Sequence, residues 1–365
     1  MSKVIIPHIA THPGEVLKDE IDAREMNYKD FAFQIGMQPT MLSEIMNGKR
    51  SVTADIAILL EKALDISAKY WMDLQSQFEI DEARIKEKNI VKLRSIEQWK
   101  LITELVPYKI LTKLGYLVES VVDDIQTVKE IYNVSDVKEL QVSFATYKLN
   151  SKFNFRKSSK LQVDDVNLFC WSNLVMWKAR NEKVNEFRLD SIDNLIFELN
   201  QIFYQNRDVV NRTKDTLTKY GIKFVILEKL DKTPVDGFSF WSNENPAIGV
   251  SMRYRNIDNF AFTVLHELGH IVKHIVNDKS NQFIDVNEEK EKSSCQKEVE
   301  ADEFSQNKLI PLNQWVEIKD EVPITKPRIL SFSQKHRINP AIVRGRFCWE
   351  LGRYNIHTDI EREIH

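Results

Sequence analysis

Cysteine is scarce in this 365-residue sequence: three residues, Cys170, Cys295 and Cys348, widely spread and without any paired metal-binding spacing. That excludes a disulfide framework and a cysteine-based zinc module, and the three read as reduced thiols of a cytoplasmic protein. No apolar run approaches the roughly 18 residues needed to span a bilayer. The N-terminus lacks the apolar core of a signal segment, so a cytoplasmic location and no membrane partner are expected. Net charge is also small, −3 with 29% charged residues, too little to steer the whole molecule onto nucleic acid. Internal repeats, low-complexity tracts and flexible Gly/Ser linkers are missing as well. The length exceeds one ordinary core and suits two or three domains.

What is present is concentrated at two places, the first being His266-Glu267-Leu268-Gly269-His270. On an α-helix this spacing brings both imidazoles to one face, where they can grip one zinc ion while Glu267 reaches the water it activates. Zinc would lower the pKa of that water toward 7, and Glu267 would take its proton and pass it to a leaving amine. The bland alternative is a surface helix that happens to carry two histidines. Against it, Ala261, Val264, Leu265, Leu268, Ile271, Val272 and Ile275 recur at helical spacing, so the motif has a packed back. Gly269 costs such a helix about 1 kcal/mol against Ala, which points to a close approach of something to its backbone.

A third protein ligand is expected downstream, because catalytic zinc keeps its fourth position for water. Lys297 to Ile310 reads as a second helix carrying three glutamates and ending at Pro311. Glu298 and Glu300 lie about 200° apart around it and cannot both face one metal. Glu300 shares a face with Phe304 and is the expected ligand; Glu298 and Glu303 are alternatives, each most simply a solvated charge. Asp302 could orient an imidazole by accepting its other N–H. His274 lies about 12 Å along the axis from His266 and reads as a helix-end histidine rather than a ligand.

The run from Gly237 through Ala247-Ile-Gly-Val-Ser-Met-Arg-Tyr to His266-Glu-Leu-Gly-His, followed by Glu300-Ala-Asp-Glu-Phe, resembles the ImmA/IrrE family of metallopeptidases over roughly residues 150 to 350. The resemblance implies His266, His270 and Glu300 as zinc ligands, Glu267 as general base, and limited proteolysis of a regulatory protein.

The second concentration is N-terminal. Pro13 to Arg24 carries Val16, Leu17 and Ile21 on one face; a short helix follows from Tyr28 to Ile35, broken by Gly36. Pro39 to Met46 then turns Met41, Leu42, Ile45 and Met46 inward and Gln38, Thr40, Ser43, Glu44 and Asn47 outward, the pattern of a helix-turn-helix. Lys49 and Arg50 follow in a turn, placed to meet phosphate, before a helix from Thr53 to Leu64. This stretch resembles XRE-like repressors, and HigA-type antitoxins in particular, through His12-Pro-Gly-Glu-Val-Leu, Ser43-Glu-Ile-Met-Asn-Gly-Lys-Arg, Thr53-Ala-Asp and Tyr70-Trp-Met-Asp-Leu-Gln. Residues 1 to 80 hold eight Lys and Arg against twelve Asp and Glu, a net −4, which lends weight to the alternative of a helical bundle serving dimerisation. Contact with double-stranded DNA would therefore be local: Lys49 and Arg50 on phosphate, with Gln38, Thr40, Ser43 and Asn47 near base edges. Such repressors usually bind as dimers, so a homodimer on a palindromic operator is expected.

Between these ends, residues 81 to 150 read as a stiff helical connector, and further helices run from Val166 to Ala179 and Ser191 to Phe203. Trp171 and Trp177 read as core. Three strands, Lys223 to Leu227, Gly237 to Trp241 and Ala247 to Arg253, precede the motif helix and could offer an edge to an extended peptide beside the zinc, with Ile248 and Val250 in the receiving strand. Asn277 to Ser294 reads as a loop, and Phe332 to Phe347, with Asn339-Pro340-Ala341 inside it, as supporting helices in which Arg344 or Arg346 could touch substrate. The expected fold is mainly α: a helix-turn-helix domain over 1–80, the connector, and an α+β zincin-like domain over 151–365 with a three-stranded sheet. The expected function is an antitoxin-like DNA-binding regulator carrying a zinc-dependent metallopeptidase. The competing expectation is a non-catalytic repressor whose second domain binds and neutralises a toxin, and a third is self-cleavage between domains.

Overall fold

A computed structural model describes residues 9–154, 163–286, 296–319, 324–352 and 358–365. The chain divides into two compact units, residues 1–97 and 98–365. Among the described residues, no helix is long and apolar enough to cross a membrane.

The N-terminal unit opens with five helices, Pro13–Ala23, Tyr28–Gln34, Pro39–Met46, Ala54–Leu64 and Ala68–Ile85. Each start is chemically marked. His12 caps the first helix by accepting the Gly14 N–H on Nδ1 at 2.9 Å, while the Glu15 side chain answers the His12 N–H. Asn27, Thr53 and Ser67 cap the second, fourth and fifth. Leu17, Ile21, Phe31, Leu42, Ile45, Ile56, Leu60 and Trp71 close one core. The inward face of the third helix is narrower than expected: Leu42 and Ile45 are buried, while Met41 and Met46 are half-buried.

The C-terminal unit is built on a four-stranded sheet in the order β1-β3-β2-β4, with β1 Lys223–Ile226, β2 Val235–Ser242, β3 Asn245–Val250 and β4 Phe283–Val286. β1 runs parallel to β3, and β2 pairs antiparallel with both β3 and β4. Alternation along the strands supplies two cores. Phe224, Ile248 and Val250 face the helices Ile192–Gln205, Ile257–His270 and Pro340–Glu350. Val225, Phe238, Phe240 and Ala247 face the helix Asp165–Asn181.

Three expectations change here. The sheet has a fourth strand, β4, inside the segment read as a loop; residues 287–294 of that segment, and Cys295 after it, lie outside the described residues. β3 is a central strand, paired on both sides, so Ile248 and Val250 cannot form a receiving edge; β1 and β4 hold the edges. Residues 98–154 are no mere connector, because Ile102, Leu111, Ile131 and Leu140 share the core of Trp171 and Phe238. Polar spacing in that stretch reflects helices buried on one side only.

Candidate metal centre and nucleic-acid interface

The HExxH sequence lies in the helix Ile257–His270, called the motif helix below, which is buried along almost its whole length. A helix enclosed this way must satisfy its polar side chains internally. His266 and His270 project together, their Nε2 atoms 3.1 Å apart. The chain continues as a π-helical turn, Ile271–Ile275, which carries His274 away from the pair to the Lys297 carbonyl at 3.2 Å.

Facing the motif helix is the helix Gln296–Leu309. Its buried residues are Glu298, Ala301, Asp302, Ser305 and Leu309, a stripe at helical spacing made of small and acidic side chains that ends on a leucine. This packing reverses the expected third ligand. Glu298 Oε2 lies 3.4 Å from His266 Nε2 and Glu298 Oε1 3.5 Å from His270 Nε2. Glu300 points elsewhere: it accepts from Gln296, sits 3.8 Å from His274 Nε2, and leaves 39% of its side chain exposed. The close approach is what chooses. A Cβ on Gly269 would meet Ala301 Cα at 3.2 Å and Phe304 at 3.1 Å, so the partner helix abuts along Ala301, and Phe304 stays only half-buried at the margin. The inward anchor is Ala301 rather than the bulkier Phe304.

His266, His270 and Glu298 therefore form a buried group that could hold a metal ion. Two imidazole nitrogens and one carboxylate oxygen are the donor set of a catalytic zinc site. Burial favours the neutral form of His266, yet hydrogen bonding to Asp302 and Glu298 outweighs it and raises its pKa well above 6.5. Burial dominates at His270 and pushes its pKa down to about 4. Burial would raise the Glu298 carboxyl, but hydrogen bonds from both imidazoles hold it well below the usual range. Binding a cation there would require both Nε2 atoms and the Glu298 carboxylate to be free of protons. Asp302 Oδ1 stands 3.0 Å from His266 Nδ1, where it can fix the tautomer that leaves Nε2 free.

Glu267 is fully buried, and that burial raises its carboxyl pKa well above 4.5. Two residues of β2 shape its seat, Gly237 and Ser239. A Cβ on Gly237 would stand only 2.2 Å from Glu267 Oε1, so glycine alone leaves room for the carboxylate, and the Ser239 hydroxyl favours its ionised form. Asp285 of β4 completes a second buried group with His266 and Glu267. Sequence reading missed Gly237, Ser239, Phe283 and Asp285 as site residues; the short β-forming run Phe283-Ile-Asp-Val was the available signal for β4. Arg346 is structural, donating to the Gln306 and Ile310 carbonyls and stacking over Trp315, and Arg344 bonds Thr358.

In the N-terminal unit, Gln38, Thr40, Ser43, Asn47, Lys49 and Arg50 are all exposed along the third helix and the turn after it. Asn47 folds back to the Ser43 carbonyl at 2.7 Å, and Arg50 Nε bonds Glu44 Oε2 at 2.8 Å. The turn is held from beneath by buried Gln75, whose Oε1 accepts the Val52 N–H at 2.9 Å.

A helix-turn-helix on a capped bundle in one unit and a histidine-carboxylate centre on a sheet in the other define a two-part chain. The family described as helix-turn-helix matches residues 17–71, and the IrrE N-terminal-like domain of the metallopeptidases matches residues 218–318. Virulence-associated protein A of Dichelobacter nodosus is 35% identical over 69 residues, 18% of this chain and 68% of that protein. The HTH-type transcriptional regulator YddM of Escherichia coli is 27% identical over 90 residues, 24% of this chain and 95% of that protein. The solved Pseudomonas aeruginosa antitoxin HigA with its higBA promoter is 29% identical, covering 22% of this chain and 90% of that one, with a TM-score of 0.22. Through its N-terminal region the chain belongs to the XRE-type helix-turn-helix family, and its C-terminal unit carries an IrrE-like domain.

Proposed function

We propose that this protein is a cytoplasmic, antitoxin-like transcriptional regulator whose second unit is a zinc-dependent metalloendopeptidase acting on a regulatory protein. The observation that carries the enzymatic half is the convergence of His266, His270 and Glu298 beside a buried Glu267. Zinc held by the three would polarise a scissile carbonyl and acidify a water molecule. Glu267 would take the proton of that water and return it to the leaving amine. His266 would be oriented by Asp302, and Gly237 would keep the Glu267 carboxylate in reach.

On the regulatory half, Lys49 and Arg50 meet phosphate while Gln38, Thr40, Ser43 and Asn47 approach base edges. Arg50 is already engaged by Glu44, so DNA must exchange one anion for another. A homodimer would read a palindrome with half-sites about one helical turn apart, and a footprint on a single asymmetric half-site would contradict this.

The deciding experiment is Glu267→Gln in the full chain. Zinc retained with loss of the biological effect supports cleavage. An unchanged effect shifts the reading to a binding module that neutralises a toxin partner, with the zinc centre structural. Intact mass after incubation with zinc tests self-cleavage.

A further inference from the structure

The two imidazoles of the centre are oriented by different means. His266 Nδ1 has Asp302 Oδ1 at 3.0 Å. His270 Nδ1 is buried with no hydrogen-bond partner among the described residues. Its ring instead lies flat on Phe283 of β4, centroids 4.1 Å apart and planes inclined by 6°. The other side of the arrangement is fixed too, since Phe283 is 2% exposed and its ring has the Lys297 ammonium 5.3 Å from the centroid.

We propose that Phe283 is a positioning residue of the metal centre, holding the His270 plane by ring stacking where its neighbour His266 is held by a carboxylate. The inference rests on the metal-centre reading above. A histidine ring can pivot about its Cβ–Cγ bond, and a ligand nitrogen that swings off axis loses its bond to the metal; such ligands are normally held by a hydrogen bond to the remote nitrogen. Among the described residues that nitrogen has no acceptor, and the restraint comes from contact over the ring face, where pivoting would break the parallel stack. The arrangement also explains why β4 must pair with β2. The register Ser239 to Phe283 carries the aromatic ring across from the strand that seats Glu267. Ring stacking and the Glu267 seat are thereby set by the same pair of strands.

The test is zinc affinity of the full chain, by competition with a chromophoric chelator, together with the visible spectrum of the cobalt-substituted protein. Phe283→Leu keeps apolar volume without a flat face, and Phe283→Tyr keeps the face. The expected result is zinc binding weakened about ten-fold or more in the leucine variant, with an altered cobalt ligand-field band, and near-normal behaviour in the tyrosine variant. Should the leucine variant unfold, Phe283→Met takes its place, since its flexible chain fills irregular space. Wild-type affinity and spectrum in the folded leucine or methionine variant overturn the inference, as does equal loss in the tyrosine variant. Wild-type protein without zinc affinity overturns the metal reading itself, an outcome distinct from either.

Discussion

At the scale of single residues, the centre turns on which glutamate faces inward. Glu298→Ala should abolish stoichiometric zinc while Glu300→Ala keeps it, read by metal content of protein purified without added zinc. The reverse pattern would restore Glu300 as the ligand. Gly237→Ala drives a methyl group into the Glu267 carboxylate, and overpacking of that kind costs about 1–3 kcal/mol. Denaturant unfolding should show the loss, and unchanged stability would mean that the carboxylate moves freely. Cys170 lies buried beside Tyr132, and burial pushes its thiol pKa up to about 12. Iodoacetamide at neutral pH should leave Cys170 unmodified in the native chain, as peptide mass mapping would show. The convergence of His266 and His270 with Glu267 beside them was legible from spacing alone, because i and i+4 share a helix face whatever the helix packs against. Glu298 was not, because choosing between two glutamates on opposite faces requires knowing what the helix abuts.

Elements show the same division. Within the helix-turn-helix the starts at Pro13, Tyr28, Pro39 and Thr53 were legible to within a residue, since proline suits a first helical turn and Asn27 and Thr53 cap through atoms on their own side chains. β4 was read as loop because four residues give too short a pattern, and pairing with β2 supplies the hydrogen bonds that make them a strand. The turn carrying Lys49 and Arg50 depends on a residue 23 positions away from Val52, buried Gln75. Gln75→Leu leaves the Val52 N–H without an acceptor and should cost about 1–3 kcal/mol. Gel-shift titration should find operator binding weakened alongside, and full affinity would mean that the turn holds itself.

For the whole molecule, two separate compact units imply that a ligand of one stabilises that unit by mass action. Stripping zinc with a chelator should lower the melting temperature of the C-terminal unit and leave the N-terminal transition in place, a comparison calorimetry can make. A single transition shifted as one would show that the units unfold together.

The sequence by itself determined the two-part organisation, the helix-turn-helix, and the histidine pair with its carboxylate, because each rests on local spacing along one helix or one turn. Only the tertiary structure decided that Glu298 and not Glu300 faces the histidines, that Phe283 lies against His270, that β3 is central, and that residues after 98 join the core of the second unit. These depend on contacts between elements distant in sequence, where a missing methyl group at Gly269 or Gly237 sets how closely two backbones or side chains approach.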